Sequence, residues 1–340
     1  MLKHGGNLRQ AARQYGIPLE QWLDLSTGIN PNGWPVPAIS PDSWLHLPQA
    51  DDGLELAAQA YYQAPHVLPV AGSQAAIQVL PMLRAAGKVG MLAPAYAEHH
   101  YNWSRHGHTI INLTFDRIEQ HLSELDVLLL VHPNNPTGQC YQTAQLLDWH
   151  RQLQARGGCL IVDEAFIDTT PQASLAAYTA RPGLIVLRSL GKFFGLAGAR
   201  CGFVLAEPAF LAQLRDRLGP WSLSGPTREV ARLALGDTAW QIQTRQSLLA
   251  QAERLKQLLS CYSLGPDGGS SLFQWRQHPQ AFKIHVALAR QGIWTRYFEA
   301  PASLRVGLPA TETQWQVLQR ALQELNNLNQ REEMNETLAL

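Results

Sequence analysis

The chain has few charged residues and no excess of either sign, since 27 lysines and arginines balance 27 aspartates and glutamates and charged residues make up 16%. This balance gives no indication of nucleic-acid or membrane binding. Cysteine is also scarce, and Cys140, Cys159, Cys201 and Cys261 have neither the spacing of a metal site nor that of a disulfide framework. They are typical of reduced thiols in a cytoplasmic protein, and no metal is expected.

The sequence also lacks an apolar run long enough to span a bilayer, and no apolar core of a secretion signal is visible near its N-terminus. It has no internal repeat. Hydrophobic residues make up 46% of 340 residues, which allows one large domain, one smaller domain and a sizeable core. These features predict a cytoplasmic metabolic enzyme.

Glycine and proline clusters divide the chain into expected domains. Residues 1–45 are rich in glycine, proline and asparagine and are predicted to form an N-terminal arm with a short helix. Strand and helix patterns alternate over residues 46–225, as in a parallel sheet with helical crossovers. Residues 226–327 begin with a long amphipathic helix and continue with short strands, which predicts a smaller α+β domain. The polar residues 328–340 are expected to fray.

A glycine-rich segment from Ser189 to Arg200 places one lysine, Lys192, in apolar surroundings. Such surroundings favour a neutral amine, which can attack an aldehyde to form an imine. Ser189 and Arg200 are suited to binding a phosphate beside that imine. Together these groups indicate pyridoxal 5'-phosphate (PLP) as the cofactor. The alternative is a surface lysine in a loop, which the motifs upstream disfavour.

Two apolar runs upstream of the lysine end in polar residues, as buried parallel strands do at the sheet edge where ligands bind. One run leads into Asp163, whose carboxylate can pair with a protonated pyridine nitrogen and make the ring an electron sink. Its alternative role is to cap the next helix. The other run leads into His-Pro-Asn-Asn-Pro-Thr-Gly, a turn cluster that contains Asn135.

The order Asn-Pro-Thr-Gly, Asp-Glu-Ala and Ser-Leu-Gly-Lys resembles the fold-type I PLP enzymes of the aspartate aminotransferase superfamily. This resemblance implies an α/β fold, with a large domain around a mostly parallel sheet and a smaller α+β C-terminal domain. It implies that Lys192 binds the cofactor, that Asp163 pairs with its ring nitrogen and that Asn135 donates to its 3-oxygen. It also implies a homodimer.

Two further segments are expected to contact the cofactor. Gly72, Ser73 and Gln74 begin an apolar-periodic segment that predicts a helix, and N–H groups at a helix start can bind phosphate. Pro81 should end or kink that helix. The resemblance places an aromatic side chain at Tyr96 to stack on the pyridine ring. The alternatives are an ordinary helix cap and a tyrosine packed at a strand–loop junction.

Two arginines near the C-terminus are candidates for binding the substrate. In the superfamily an arginine on a strand binds the substrate α-carboxylate, and Arg305 matches it by position and context. A guanidinium suits this role because it can form two parallel hydrogen bonds with a carboxylate. Arg296 is either a competitor for the role or a second contact to an anion. The alternative for both is a surface arginine on an edge strand.

The start of the chain discriminates between two groups of the superfamily, the histidinol-phosphate aminotransferases and the threonine-phosphate decarboxylases of cobalamin synthesis. The run His4, Gly5, Gly6 and Asn7, followed by Asp-Leu-Ser-Thr-Gly-Ile-Asn-Pro with Asn30, resembles the decarboxylases. A histidine and two glycines offer a cation and close N–H donors to the substrate phosphate. The alternative is a disordered N-terminus with an incidental histidine.

Two positions depart from the superfamily pattern. Phe166 stands where most aminotransferases have tyrosine, so Asn135 would donate to the cofactor 3-oxygen alone, and phenylalanine fits the decarboxylases. Leu47 stands where a tyrosine would reach the cofactor phosphate of the partner subunit, a contact that His46 or water would replace.

The leading hypothesis is therefore a lyase, which decarboxylates L-threonine O-3-phosphate to (R)-1-amino-2-propanol O-2-phosphate. It depends on the resemblance at the N-terminus and at Phe166, because the sequence does not show which bond to the substrate α-carbon breaks. A histidinol-phosphate or related aminotransferase is the second hypothesis. A non-enzymatic regulator built on the same fold is the third.

Overall fold

The computed structural model describes residues 4–338, with side chains described up to residue 327. Two compact units are present, each made from segments that are distant in sequence. Unit 1 comprises the described parts of Met1–Asn32 and Gln246–Leu340 together with Pro136–Gly138, and unit 2 comprises Gly33–Asn135 and Gln139–Arg245.

The regular elements follow one another along both units. The strands are β1 (Leu23–Asp24), β2 (Val67–Val70), β3 (Lys88–Leu92), β4 (Thr109–Leu113), β5 (Val127–Val131), β6 (Cys159–Asp163), β7 (Leu184–Ser189), β8 (Gly202–Leu205), β9 (Gly268–Ser270), β10 (Phe273–Gln277), β11 (Ile293–Trp294), β12 (Arg296–Phe298) and β13 (Ser303–Gly307). The helices are α1 (Leu8–Tyr15), α2 (Asp42–Leu45), α3 (Leu54–Tyr62), α4 (Ser73–Val79), α5 (Ala97–Arg105), α6 (Ile118–His121), α7 (Thr143–Gln154), α8 (Pro208–Leu218), α9 (Gly225–Gly236), α10 (Thr238–Cys261), α11 (Ala281–Ala289) and α12 (Glu312–Leu338).

Unit 2 is built around one sheet with the strand order β2-β8-β7-β6-β5-β3-β4. Neighbouring strands are parallel except at β8, which runs antiparallel to β2 and β7. Every residue of β5 and β6 is buried. Strands covered on both faces need apolar side chains without alternation, which explains why these two runs consist mainly of Val, Ile and Leu. The predicted mostly parallel sheet is confirmed.

An apolar cluster packs helices on one face of this sheet. Trp103 of α5, Ile77 of α4 and Leu214 of α8 meet Ile161 and Ile185 of the sheet, and all five side chains are at most 3% exposed. Burying an aliphatic side chain of this size stabilises the fold by about 1.5–3 kcal/mol. This packing holds the helices beside the strands whose ends carry the candidate site.

Local sequence signals predicted two helix ends correctly and one helix as longer than it is. The helix α1 spans Leu8–Tyr15, as the N-terminal pattern predicts. The helix α4 ends at Val79 and continues as a tighter 3-10 turn that contains Pro81, since proline has no N–H to extend the α-helical bonds. The helix predicted from Pro226 is broken near Asp237, which separates α9 from α10.

Unit 1 contains two small sheets. The strands β12, β13, β10 and β9 form an antiparallel sheet in that order, and β1 pairs in parallel with β11. Tyr15, Trp22 and Trp294 pack edge to face, with ring centroids 5.8 to 6.3 Å apart. The strand pairing and the aromatic contacts attach the N-terminal segment to the C-terminal part of this unit.

The compact units differ from the expected division at residues 45 and 225. The expected arm is divided after Asn32, because residues from Gly33 onward belong to unit 2. Helix α9 belongs to unit 2 because it packs on α3, where Arg228 pairs with Asp52 at 2.6 Å and with Glu55 at 2.8 Å. The second division therefore falls inside α10, after Arg245.

The end of the chain also differs from expectation. The segment from residue 328 was expected to fray, but the backbone of α12 is helical as far as Leu338. The last two residues of the expected tail lie outside the described residues. Within the described part of the chain, no helix is both long and apolar enough to cross a lipid bilayer.

Candidate active site

The residues expected to contact the cofactor gather at one edge of the unit 2 sheet. Gly72 follows β2, Tyr96 comes shortly after β3 and Asn135 comes shortly after β5, while Asp163 and Ser189 end β6 and β7. Since β2, β3, β5, β6 and β7 are parallel, their carboxyl ends lie at the same edge, which is where ligands bind in open α/β sheets.

The carboxylate of Asp163 has a fixed orientation. The side chain is buried, and its Oδ2 lies 2.9 Å from Nε2 of His99, which is itself 1% exposed. Its Oδ1 accepts the N–H of Ala165 at 3.1 Å. With both oxygens held, the carboxylate keeps one direction, and such a group can stabilise positive charge on a ring nitrogen.

Lys192 lies in the loop after β7 and is partly buried. Its Nζ is 5.6 Å from the ring centroid of Phe166, which is buried at the position expected to lack a tyrosine hydroxyl. A phenyl ring can face a lysine but donates no hydrogen bond. The lysine amine therefore has an apolar ring on this side, and Phe166 leaves other residues to bind the polar atoms of a cofactor.

Two glycines permit a phosphate cradle to form at the start of α4. Gly72 has φ 70° and ψ 156°, a conformation essentially restricted to glycine. A Cβ on Gly72 would lie 2.8 Å from Nη2 of Arg200, and a Cβ on Gly202 would lie 2.5 Å from the backbone nitrogen of Ser73. The N–H groups of Ser73 and Gln74 have no acceptor within the helix. These two N–H groups and the neighbouring guanidinium of Arg200 are suited to binding a phosphate, so the residues present fit the phosphate group of PLP.

The side chain of Gln74 has a different role from its backbone. Its Nε2 donates to Glu98 at 2.8 Å, and its Oε1 accepts the hydroxyl of Tyr96 at 3.3 Å. The ring of Tyr96 meets the ring of His99 nearly at a right angle, with the centroids 5.9 Å apart. The side-chain amide of Gln74 is therefore engaged by Glu98 and Tyr96, and only its backbone N–H is left for a phosphate. The ring of Tyr96 is held by Gln74 on one side and by His99 on another.

Unit 1 carries the residues expected to bind the substrate. Arg305 of β13 and Arg296 of β12 are directly opposite partners in an antiparallel pair, so their side chains lie on the same face. Burial lowers the pKa of Arg296. Two guanidinium groups on one face of the sheet are suited to binding anionic groups of a ligand. The role of Arg296, as a competitor of Arg305 or as a second contact to an anion, stays a prediction.

The N-terminal residues lie against the same part of unit 1. The N–H of Gly6 donates to Oγ of Ser26 at 2.6 Å, and the indole of Trp294 donates to the carbonyl of Gly6 at 2.9 Å. The side chains of His4 and Asn7 are exposed. These hydrogen bonds argue against the alternative of an incidental, unattached N-terminal segment for the residues that the structure describes.

Asn30 lies further along the same segment and is buried. Its Oδ1 accepts the N–H of Asn32 at 2.9 Å, which closes a local turn. A contact between Asn30 and the substrate stays a prediction.

Comparison with known proteins identifies the family. Residues 49–325 match the family model described as aminotransferase class I and II. The chain belongs to this family. Its fold is that of the fold-type I PLP enzymes, as predicted. The structure of a histidinol-phosphate aminotransferase from Sinorhizobium meliloti in complex with pyridoxal-5'-phosphate has a TM-score of 0.81 at 19% identity, with 96% of this chain and 95% of that chain covered. At that identity the likeness shows the fold alone.

Two curated relatives differ in how much of the chain they match. A threonine-phosphate decarboxylase from Pseudomonas aeruginosa is 56% identical over 95% of this chain and 97% of the relative. A histidinol-phosphate aminotransferase from Pectobacterium atrosepticum is 43% identical, but over 36% of this chain and 34% of the relative. Similarity to the decarboxylase therefore extends over nearly the whole length of both proteins.

His99 is a residue of the candidate active site that sequence analysis did not identify. It lies on the buried face of α5, together with Asn102 and Trp103, at positions i, i+3 and i+4. Polar residues on the buried side of a helix need buried partners. That pattern was the available signal, but the partner of His99 is 64 residues away, at Asp163.

A buried ionic network behind the site was also missed. Arg188 lies 3.1 Å from Glu164 and 2.5 Å from Asp168, and all three side chains are at most 2% exposed. Burial raises the pKa of Glu164. Because Glu164 follows Asp163 and Arg188 precedes Ser189, the network ties together the ends of β6 and β7. Removing one member of such a buried pair costs about 3–5 kcal/mol of stability.

Metal ligation has no candidate among the described residues, where no group of three or more His, Cys, Asp and Glu side chains is arranged to hold an ion.

Proposed function

We propose that this chain is a PLP-dependent lyase that decarboxylates L-threonine O-3-phosphate to (R)-1-amino-2-propanol O-2-phosphate. The observation that carries the proposal is the 56% identity to a threonine-phosphate decarboxylase over nearly the full length of both chains. The aminotransferase relative matches only about a third of the chain. The product would enter cobalamin biosynthesis, in keeping with the resemblance at the N-terminus, and the enzyme would act in the cytoplasm.

PLP would be held by the residues at the edge of the unit 2 sheet. Bound PLP supplies an electron sink for the negative charge that forms at the substrate α-carbon when its carboxylate leaves. Lys192 would hold the cofactor through its Nζ, and the fixed carboxylate of Asp163 would stabilise a proton on the ring nitrogen. Asn135 would donate to the ring 3-oxygen, and the ring of Tyr96 would pack on the pyridine.

The cofactor phosphate would bind at the start of α4. The N–H groups of Ser73 and Gln74 and the guanidinium of Arg200 form one set of donors, and Gly72 allows the backbone to approach closely. Ser189 adds a hydroxyl at the end of β7. This assignment is supported by the two glycines at which a Cβ would collide with the donors.

The substrate has two anionic groups, and unit 1 offers two kinds of anion ligand. Arg305 binds the α-carboxylate, and Arg296 with the His4–Asn7 segment binds the phosphate. Charge-assisted hydrogen bonds of this kind contribute roughly 1.5–3 kcal/mol each. By holding both anions, these residues would restrict rotation about the bonds to the substrate α-carbon, which would determine which of those bonds breaks.

We also propose that the protein acts as a homodimer. Trp44, Leu45 and Leu47 are 71%, 75% and 66% exposed within four residues of sequence. Large apolar side chains that are close in sequence and exposed support a proposed interaction surface. A second copy of the chain is the occupant that the family resemblance implies, and Leu47 then replaces a polar contact with an apolar one.

The test is to incubate the purified protein and PLP with L-threonine O-3-phosphate and to measure carbon dioxide. Release of carbon dioxide is expected, and no amino group should pass from histidinol phosphate to a keto acid. Amino transfer without carbon dioxide would establish the aminotransferase instead.

Lys192→Ala tests the assignment of the cofactor lysine. The variant should release no carbon dioxide and should give no borohydride-stable phosphopyridoxyl peptide, because no amine remains at this position. Lys283→Ala, on an exposed face of α11, is the matched control and should behave as the wild type. A labelled peptide that does not contain position 192 would show that another lysine binds the cofactor.

A further inference from the structure

Ser26 has no assigned role, although it lies in the Asp-Leu-Ser-Thr-Gly-Ile-Asn-Pro run that resembles the decarboxylases. It is the second residue after β1 and is fully buried, at 0% exposure. A buried hydroxyl and a buried peptide group must both find hydrogen-bond partners. The partners of Ser26 include Gly6 and Arg305, which belong to the two sets of candidate substrate ligands.

The hydroxyl of Ser26 connects β1 with the N-terminal segment. Both its N–H and its Oγ–H donate to Oδ1 of Asp24, at 2.9 and 2.6 Å. Its Oγ accepts the N–H of Gly6 at 2.6 Å. Since a serine hydroxyl has one hydrogen, the bond to Asp24 settles its direction and leaves the oxygen lone pairs for Gly6. Asp24 therefore orients the acceptor that holds the N-terminal segment.

The backbone carbonyl of Ser26 contacts Arg305, the residue expected to bind the substrate carboxylate. Nη2 of Arg305 donates to it at 2.8 Å. A Cβ on Gly5 would lie 2.4 Å from this carbonyl oxygen, so the N-terminal segment packs directly on the group that holds the arginine. One buried residue thus contacts both sets of anion ligands in unit 1.

We infer that Ser26 is a positioning residue, which fixes the His4–Asn7 segment and Arg305 relative to each other and so selects substrates with two anions. This inference rests on the proposed function and deepens it. The distance between the two anion ligands is set by the short path from Gly6 through Ser26 to Arg305. A substrate with only a carboxylate contacts Arg305 alone, whereas phosphothreonine contacts both Arg305 and the His4–Asn7 segment.

The experiment compares Ser26→Ala, a deletion of residues 1–7 and the combination of both in the PLP-loaded enzyme. Ser26→Ala removes the acceptor for Gly6 but keeps the carbonyl that holds Arg305. Each single change should raise KM for L-threonine O-3-phosphate, by roughly five- to tenfold for the serine variant, the scale expected for losing one hydrogen bond. The value of kcat should change little, and competitive inhibition by unphosphorylated L-threonine should stay within about twofold.

The combined variant decides the inference. If Ser26 acts through the N-terminal segment, Ser26→Ala should raise KM no further in the truncated enzyme, because neighbouring changes on one path are not additive. Additive effects on KM, or equal weakening of phosphothreonine and threonine, would overturn the inference. A wild-type enzyme that releases no carbon dioxide would instead refute the proposed function.

Gly5→Ala provides a second test that keeps the serine, in case Ser26→Ala does not fold. The added methyl group displaces the Ser26 carbonyl, so it should weaken both phosphothreonine and threonine, unlike Ser26→Ala. Hydrogen exchange at the Gly6 amide supplies a readout that needs no turnover. It should become faster in Ser26→Ala while exchange in β10 and β13 is unchanged, and an unchanged Gly6 amide would contradict the inference.

Discussion

The Asp163–His99 pair is the contact at the scale of single residues that most constrains the chemistry. An aspartate at a strand end can point in several directions, and here its Oδ2 is held by a buried histidine at 2.9 Å. The imidazole prevents the carboxylate from rotating. His99 is therefore expected to act through Asp163 as a positioning residue.

Replacement of His99 should lower catalysis without releasing the cofactor. In His99→Phe the aspartate keeps its charge but loses a buried partner, so kcat for carbon dioxide release should fall by roughly tenfold, with about 1–3 kcal/mol less stability. His99→Gln can still donate a hydrogen bond and should recover part of the rate. Asp163→Asn, which removes the charge, should lose roughly 100-fold or more. Equal rates in His99→Phe and the wild type would show that the pair is only structural.

At the scale of elements, the turn after β5 extends the sheet towards the candidate site. The N–H of His132 donates to the carbonyl of Asp163 at 2.8 Å, which continues the pairing of β5 with β6 by one residue. The imidazole is fully buried, and burial lowers the pKa of His132 to about 4. A neutral histidine in the folded state thus supports the loop that carries Asn135.

Acid should weaken the fold through this histidine. Its pKa is about 4 when folded and 6.5 in the reference state, so the unfolded chain binds the extra proton between these values and stability falls as pH decreases through that window. The loss between pH 7 and pH 5 should be on the order of 1–2 kcal/mol for this group. Urea unfolding at both pH values should show a smaller loss in His132→Asn than in the wild type. Parallel losses in the two proteins would contradict the assignment.

At the scale of the whole molecule, the two sets of candidate ligands belong to different units. The residues expected to bind the cofactor belong to unit 2, and those expected to bind the substrate belong to unit 1, which includes both the N-terminal segment and the C-terminal strands. The exposed apolar surface of Trp44, Leu45 and Leu47 belongs to unit 2 and faces solvent in a single copy. A second copy of the chain is the occupant proposed for this surface.

Charged residues on this surface should separate the proposed dimer. Leu45→Glu combined with Leu47→Glu would bury two uncompensated carboxylates, so the dimer dissociation constant should rise by roughly 100-fold or more. Sedimentation velocity over a range of protein concentrations measures this change. Phe282→Glu is the matched control, because Phe282 is 59% exposed on α11. A monomeric wild type, or an equal effect of the control, would refute this interface.

The sequence by itself determined the family and the cofactor motifs of this protein. Asn135, Asp163 and Lys192 each follow or end an apolar run, and parallel strands bring such positions to one sheet edge by their local geometry. Their roles toward the cofactor stay predictions, but their position at one edge of the sheet could be predicted from the sequence. Helix ends at Tyr15 and Val79 were also predictable, because they depend on neighbouring residues alone.

Only the tertiary structure decided the partners that hold those groups in place. His99 and Asp163 are 64 residues apart, and Ser26 and Arg305 are 279 residues apart. Which strands become neighbours, and in which register, also set Arg296 opposite Arg305. Such pairs depend on the packing of the whole chain, since a buried polar group must be satisfied by whatever donor or acceptor the fold brings beside it. A linear pattern shows that a polar residue is buried, whereas the fold alone shows what it binds.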